Sequence, residues 1–304
     1  MKFKDSYHPY AMVTILFWSL AYVLTRLTLR YFTPFSLGFL RYFVASLALA
    51  VVAVATKMKP PRKADIPWFL LAGAVGFFLY MIAFNKGQQT VTASAASVVI
   101  ATVPVITALL ARLIYKEKLR GYQWAAVAVE FAGVVVLTLM NGVFSVNRGL
   151  LWMLLAALAL SAYNLLQRKL TKTYTALQTS TFGIFSGTLL LAVFLPASVE
   201  EAARAPGIQL AYVAVLGIFS GAIAYVAWSK AFAKANKTSQ VSNYMFVTPL
   251  LTSVLGFVIA GEVPDPSTLL GGAMILLGVL LFNFGGKIRE SLRRPEAGDK
   301  GQAL

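Results

Sequence analysis

Residues 94–117 read SAASVVIATVPVITALLARLIYKE, and residues 239–262 read SQVSNYMFVTPLLTSVLGFVIAGE. A shift of 145 residues lays Ser94 on Ser239, Ser97 on Ser242, Pro104 on Pro249 and Glu117 on Glu262. Proline and glutamate stand 13 residues apart in both stretches, and a glycine follows each glutamate after 16 more, Gly133 and Gly278. Upstream, the same shift puts Gly76 on Gly221 and Tyr80 on Tyr225. Nearer the start of each half a shift of 142 fits better, placing Ser19 on Ser161 and Arg26 on Arg168. One such match carries nothing in so biased a composition, but spacing kept among rare polar residues, Gly and Pro is a duplication. The chain divides into a first unit, 1–145, a second, 146–286, and a basic tail, 287–304, that reads as disordered.

Each unit is built for lipid. Of 304 residues, 59% are hydrophobic and 12% charged, against roughly 45–50% and about 25% in soluble domains. A bilayer-spanning helix needs about 20 mostly apolar residues. Ten stretches qualify, near 10–30, 34–56, 66–85, 93–114, 124–142, 149–167, 177–195, 208–229, 238–260 and 267–285. The fold class is therefore an all-α polytopic membrane protein of ten helices. The first span, long and carrying Arg26, does not read as a cleaved leader.

Five helices per unit is an odd number, so the second unit enters the membrane from the opposite side, an inverted repeat of the kind found in many secondary transporters. With ten spans, the tails and alternate loops share one side. That side holds 21 Lys and Arg residues and the other four: Arg30, Lys86, Arg148 and Arg204. Basic residues stay cytoplasmic, which predicts both termini inside the cell (inner) membrane. The net charge of +16 is thus topological. No continuous basic face exists for nucleic acid.

At these residues the chain resembles an EamA-type member of the drug/metabolite transporter superfamily. The resemblance runs through Trp18-Ser19 with Arg26 in the first span, Pro34 with Arg41 in the second, and Thr92-Ala93-Ser94 through Pro104 to Glu117 and Gly133. Its second copy runs from Thr238-Ser239 through Pro249 to Glu262 and Gly278. It covers almost the whole chain and is specific as a set. It implies ten helices in two repeats and transport of a small solute, without naming the solute. The chain departs from the pattern where Gly183 stands at the counterpart of Arg41, and where the fifth span carries Glu130.

In hydrocarbon a polar side chain must face protein or a watery cavity. Helical spacing puts Ser19, Tyr22 and Arg26 on one face of the first span, and Ser161, Asn164 and Arg168 on one face of the sixth. Ser94, Ser97 and Pro104 share a face in the fourth span, as do Ser239, Ser242, Phe246 and Pro249 in the ninth. Tyr80 with Phe84, and Tyr225 with Trp228, add aromatic walls. The expected solute site is a central cavity lined by Trp18, Ser19, Tyr22, Tyr80, Phe84, Ser97, Asn164, Tyr225, Trp228, Ser242 and Phe246. The competing reading is that the small polar residues only let helices approach closely.

Pro104 and Pro249 each remove a helix hydrogen bond and read as hinges or gates. Glu117 and Glu262 read as structural, each paired with a base or a helix N-terminus. Trp68, Trp124 and Trp152 read as interfacial anchors, and Gly183–Gly187 and Gly217–Gly221 as packing seams. Glu130, an acid within a span that should be largely neutral unless Arg41, Arg26 or water reaches it, is open to two readings. It couples transport to protons, or it is a buried hydrogen-bond donor at a helix contact or in a homodimer.

No cysteine is present, and the single histidine, His8, lies in the N-terminal tail. That composition offers no metal cluster or nucleophile–base pair and implies no cofactor. An enzyme acting on a lipid-linked substrate is the weaker alternative, beside a non-transporting bundle and a passive channel. Aromatic walls and scarce charge suit an amphipathic or zwitterionic metabolite such as an amino acid, most simply exported.

Overall fold

The computed structural model describes residues 6–116, 118–139, 148–234 and 243–293, which are helical throughout with no strand among them. In chain order they form α1 (His8–Thr28), α2 (Pro34–Ala55), α3 (Lys63–Gln88), α4 (Ala93–Tyr115), α5 (Gly121–Leu139), α6 (Arg148–Leu170), α7 (Ala176–Arg204), α8 (Gly207–Ala231), α9 (Thr248–Ala260) and α10 (Pro266–Arg293). Eight are long and apolar enough to cross a bilayer. The apolar stretches of α5 and α9, Gly121–Val136 and Thr248–Ala260, are shorter.

Local sequence explains most boundaries. Thr33 and Thr175, equivalent under the 142 shift, cap α2 and α7 by accepting from Ser36 N and Gln178 N. Thr92 caps α4 in the same way through Ala95 N. A side-chain oxygen here satisfies amide hydrogens that a helix start leaves unpaired. Two helix ends run past the sequence reading. α7 runs nine residues past 195, because Leu195–Arg204 forms a further, polar helical segment whose Glu201 accepts from the Thr33 amide at 2.8 Å. α10 continues through Arg293, so residues 287–293, read from the sequence as part of a disordered tail, are helical. The ninth span is described only from Asn243, and residues 238–242 lie outside the described set.

Exchanging the two halves reproduces the helix contacts. α1 packs on α8 as α6 packs on α3; α2 on α8 as α7 on α3; α1 on α9 as α6 on α4. α2 with α7, and α5 with α10, pair equivalent helices directly. Irregularities repeat as well. α3 carries a π-helical stretch at Ala74–Leu79 and α8 one at Leu216–Ile223. Such wide turns occur as isolated insertions in α-helices.

Glycine lets these contacts close. A Cβ on Gly217 would lie 2.5 Å from Val44 Cβ, and one on Gly221 2.7 Å from Ala45 Cβ, so α8 rides directly on α2. Gly183 and Gly187 receive Phe77 of α3. Along α5 and α10, Gly133 faces Gly271 and Ile275, while Gly278 faces Ala126 and Glu130. Lipid offers no hydrophobic drive between helices, so close backbone approach and dispersion contacts supply much of the association.

Candidate functional site

Both matched prolines sit where an α-helical segment begins after a break in regular α-helix. In α4, residues 93–100 are helical, Ala101 and Thr102 form a turn, and a second helix starts at Val103 with Pro104 in its first turn. In the second half a short 3₁₀ stretch, Asn243–Val247, ends where α9 begins, again with Pro249 in the first turn. Proline is suited to that place because its missing N–H would be unpaired there.

Serines from the opposite half hold the breaks. Ser19 donates to the Thr248 carbonyl, just before Pro249, at 3.4 Å. The Ser161 hydroxyl, which donates to the Ala157 carbonyl of its own helix at 2.7 Å, also reaches the Val103 carbonyl, just before Pro104, at 3.2 Å. The contacts with Thr248 and Val103 are equivalent under the repeat, and each crosses between repeats. Asn164 donates to Thr107 at 3.3 Å.

At one end of the bundle a charged network ties four helices. Arg26, at the end of α1, reaches Glu262 with Nε at 3.2 Å and donates through Nη1 to the Gln88 and Gln89 carbonyls at 2.6 and 2.5 Å. The second Glu262 oxygen accepts from the Ala93 amide, at the start of α4, at 2.9 Å. Glu262 therefore has both partners the sequence reading offered it, a base and a helix N-terminus. Gly261 positions the carboxylate by ending α9 at φ +65°, a left-handed conformation that glycine adopts without penalty.

Two elements of this arrangement recur at the opposite end. Lys116, equivalent to Gly261, is also left-handed, at φ 56°. A side chain there carries a cost of order 1 kcal/mol, so this turn is imposed by its surroundings. Arg168, equivalent to Arg26, lies over the Tyr115 ring at 5.0 Å. Glu117, the equivalent of Glu262, lies outside the described residues.

Between the two ends lies an aromatic centre. Tyr22 packs edge-on against Phe84 at 5.3 Å, and Phe84 contacts Tyr80 at 5.5 Å. Trp18 contacts Trp228 at 5.2 Å and Tyr225 at 5.6 Å. Phe77 joins Tyr225 to Tyr42 and Tyr163. Trp18, Tyr80, Asn164, Tyr225 and Trp228 remain half-buried, whereas Tyr22 and Phe84 are buried. Ser97 is buried and donates to the Ser94 carbonyl within its own helix. Ser242 lies outside the described residues, as does the Phe246 side chain.

A family model, that of the EamA-like transporter family, matches residues 6–139 and matches again over residues 147–284. The chain belongs to the EamA-like transporter family. This EamA-like transporter is 33% identical over 292 residues to a probable terminal-alkyne amino-acid exporter of Streptantibioticus cattleyicolor, with 96% of each chain covered. It is 34% identical over 265 residues to an uncharacterized transporter, YdfC, of Bacillus subtilis (strain 168), with 86% of each covered. A crystal structure of a protein 19% identical superposes with a TM-score of 0.61 over 91% of this chain and 97% of its own, and so shares the fold.

Glu130 of this EamA-like transporter sits in the α5–α10 seam against Gly278. It is buried, and Oε1 has no hydrogen-bond partner. The position equivalent to it is Ile275, which packs against Gly133 in the mirrored contact. The face of Glu130 is thus filled by α10 of the same chain rather than left open to a second copy.

Sequence reasoning missed two features. His8, read as part of a tail, opens α1 and hydrogen-bonds the Tyr244 hydroxyl across the repeats. Asn85 and Gln88 donate to the Pro34 and Tyr22 carbonyls, pinning α3 to α2 and α1. The amides at 85 and 88, one turn apart in an apolar helix, were the available signal.

Proposed function

We propose that this EamA-like transporter is a secondary carrier, working as an exporter of a small amphipathic metabolite such as an amino acid. In this reading its ten helices form two inverted five-helix repeats, 1–145 and 146–286, with both termini on the cytoplasmic face of the cell membrane. The solute would occupy the aromatic centre formed by Trp18, Tyr22, Tyr80, Phe84, Asn164, Tyr225 and Trp228. The observation that carries the reading is the inter-repeat network of Arg26, Glu262 and Ala93 at one end, with Arg168, the equivalent of Arg26, over the Tyr115 ring of the opposite repeat at the other end. Contacts of this kind between repeats can break and re-form as the ends open and close. A carrier needs one closed while the other opens.

In that cycle α4 and α9 act as hinges at Pro104 and Pro249, guided by Ser161 and Ser19. Glu130 has a packing role in the α5–α10 seam. The relative whose name says amino-acid exporter supports the choice of cargo and direction for this chain.

Solute counterflow in proteoliposomes tests the reading. Vesicles loaded with unlabelled amino acids are expected to accumulate labelled amino acid transiently and saturably. Flux that never saturates and shows no counterflow would replace the carrier with a channel. Absent flux across a broad panel of metabolites would leave only a structural bundle.

A further inference from the structure

Arg41 is the eighth residue of α2, about 10 Å from the start of the helix at 1.5 Å per residue. Its side chain is nine-tenths buried, with 9% of the residue exposed, and Nε has no hydrogen-bond partner. The phenols of Tyr22, Tyr42, Tyr80 and Tyr225, from α1, α2, α3 and α8, all lie within electrostatic range of its guanidinium. Among the described residues no carboxylate pairs with it; the ion pairs described are Arg26 with Glu262 and Arg204 with Glu200.

An enclosed cation is costly unless something compensates it. The repeat itself does not require one. The equivalent position in the second half is Gly183, where a Cβ would lie 2.7 Å from Phe77 Cε2, so a phenyl ring occupies that space. The same architecture is therefore packed with apolar atoms in one half and with an arginine in the other.

We infer that Arg41 is the anion anchor of the transported solute, binding a single carboxylate. This assignment rests on the carrier reading above and narrows its cargo to molecules carrying one carboxylate. A guanidinium matches a carboxylate in charge and bidentate geometry. A phosphate monoester carries close to two charges, and one arginine would leave the excess uncompensated in an apolar setting. Trp18, 5.6 Å from the Tyr225 ring and 5.2 Å from that of Trp228, adds aromatic faces that suit an ammonium or an apolar side chain. An α-amino acid satisfies both ends.

The test uses the purified full-length chain in detergent, with thermal unfolding followed as ligand is added. The probes are L-phenylalanine, L-leucine and 3-phenylpropionate, the methyl esters of all three, and phenyl phosphate. Free carboxylates are expected to raise the unfolding midpoint at concentrations at least about tenfold lower than the esters or phenyl phosphate, one factor of ten being the smallest loss expected for a charged hydrogen bond. Arg41→Gln is expected to erase that preference, and Arg41→Lys to keep part of it. If Arg41→Gln does not fold, the acid–ester comparison on the native chain decides. Equal effects of acids and esters, no effect of any carboxylate, tighter binding of phenyl phosphate, or an acid preference surviving in Arg41→Gln each overturn the assignment. Counterflow of labelled phenylalanine separates the two claims. Binding that depends on Arg41 without counterflow removes the carrier and leaves the anchor. Counterflow unchanged in Arg41→Gln removes the anchor and leaves the carrier.

Discussion

Replacing Arg26 with alanine removes one ion pair and two charge-assisted hydrogen bonds, to Glu262, Gln88 and Gln89. The side chains are 27% and 15% exposed, so the pair lies between a surface bridge, worth about 0–1 kcal/mol, and a buried one, whose breakage costs about 3–5 kcal/mol. A loss of about 2 kcal/mol is the reasonable middle. If the network closes one end of the carrier, that loss falls on the conformation closed at that end. A change of about 2 kcal/mol moves the ratio of two conformations about thirtyfold. The assay is the labelling rate of a cysteine placed at Tyr22, in a chain with no native cysteine, by a membrane-impermeant thiol reagent from outside. Arg26→Ala and Glu262→Ala should each speed labelling by about an order of magnitude. Their double variant should fall short of the product of the two effects, since residues in one network are coupled by at least about 0.5 kcal/mol. Arg168→Ala, at the other end, should slow labelling from the same side. Strictly multiplicative effects, or acceleration by Arg168→Ala, would refute the idea that these ties are opposing gates.

Three further outcomes follow from the packing and the charge pattern. Gly278→Val should lower the thermal unfolding midpoint in detergent by an amount equivalent to about 1–3 kcal/mol, because its Cβ would overlap Glu130 and lie 2.9 Å from the Ala126 carbonyl. Gly207→Ala, with nothing within 4 Å, should leave the midpoint where it is. Glu130→Ile, which copies the equivalent Ile275, should fold at least as stably and keep accumulation driven by a pH gradient. If that accumulation disappears while exchange at equal pH survives, Glu130 carries protons and the packing role is wrong. A reporter active only in the cytoplasm should work when fused after Arg62, Lys118, Thr173 or Lys300 and fail after Asn147 or Arg204; reversal at two or more sites would overturn the orientation.

The sequence by itself determined the duplication, the apolar spans and the residues at the ends of the repeat. These are written in local terms. Hydropathy over a span, a glutamate 13 residues past a proline, and a glycine 16 residues past the glutamate are all read without knowing what lies across the bundle. Glu262 was legible as a paired acid for the same reason, since a carboxylate at a helix end next to a glycine has few other uses. Which residues meet was not legible. Arg26 and Glu262 are 236 positions apart, and periodicity fixes the face of a helix without fixing its depth, its tilt or the neighbour it meets. Those are set by where glycines let backbones close, as at Gly217 on Val44 and Gly278 on Glu130. Tertiary packing alone therefore buried Arg41 with its Nε unpartnered, sent Glu130 into a helix seam, and brought Ser19 and Ser161 to carbonyls beside the opposite repeat's proline. The physical reason is that lipid satisfies an apolar surface on any side of a helix, so only close contact between helices decides which way each one turns.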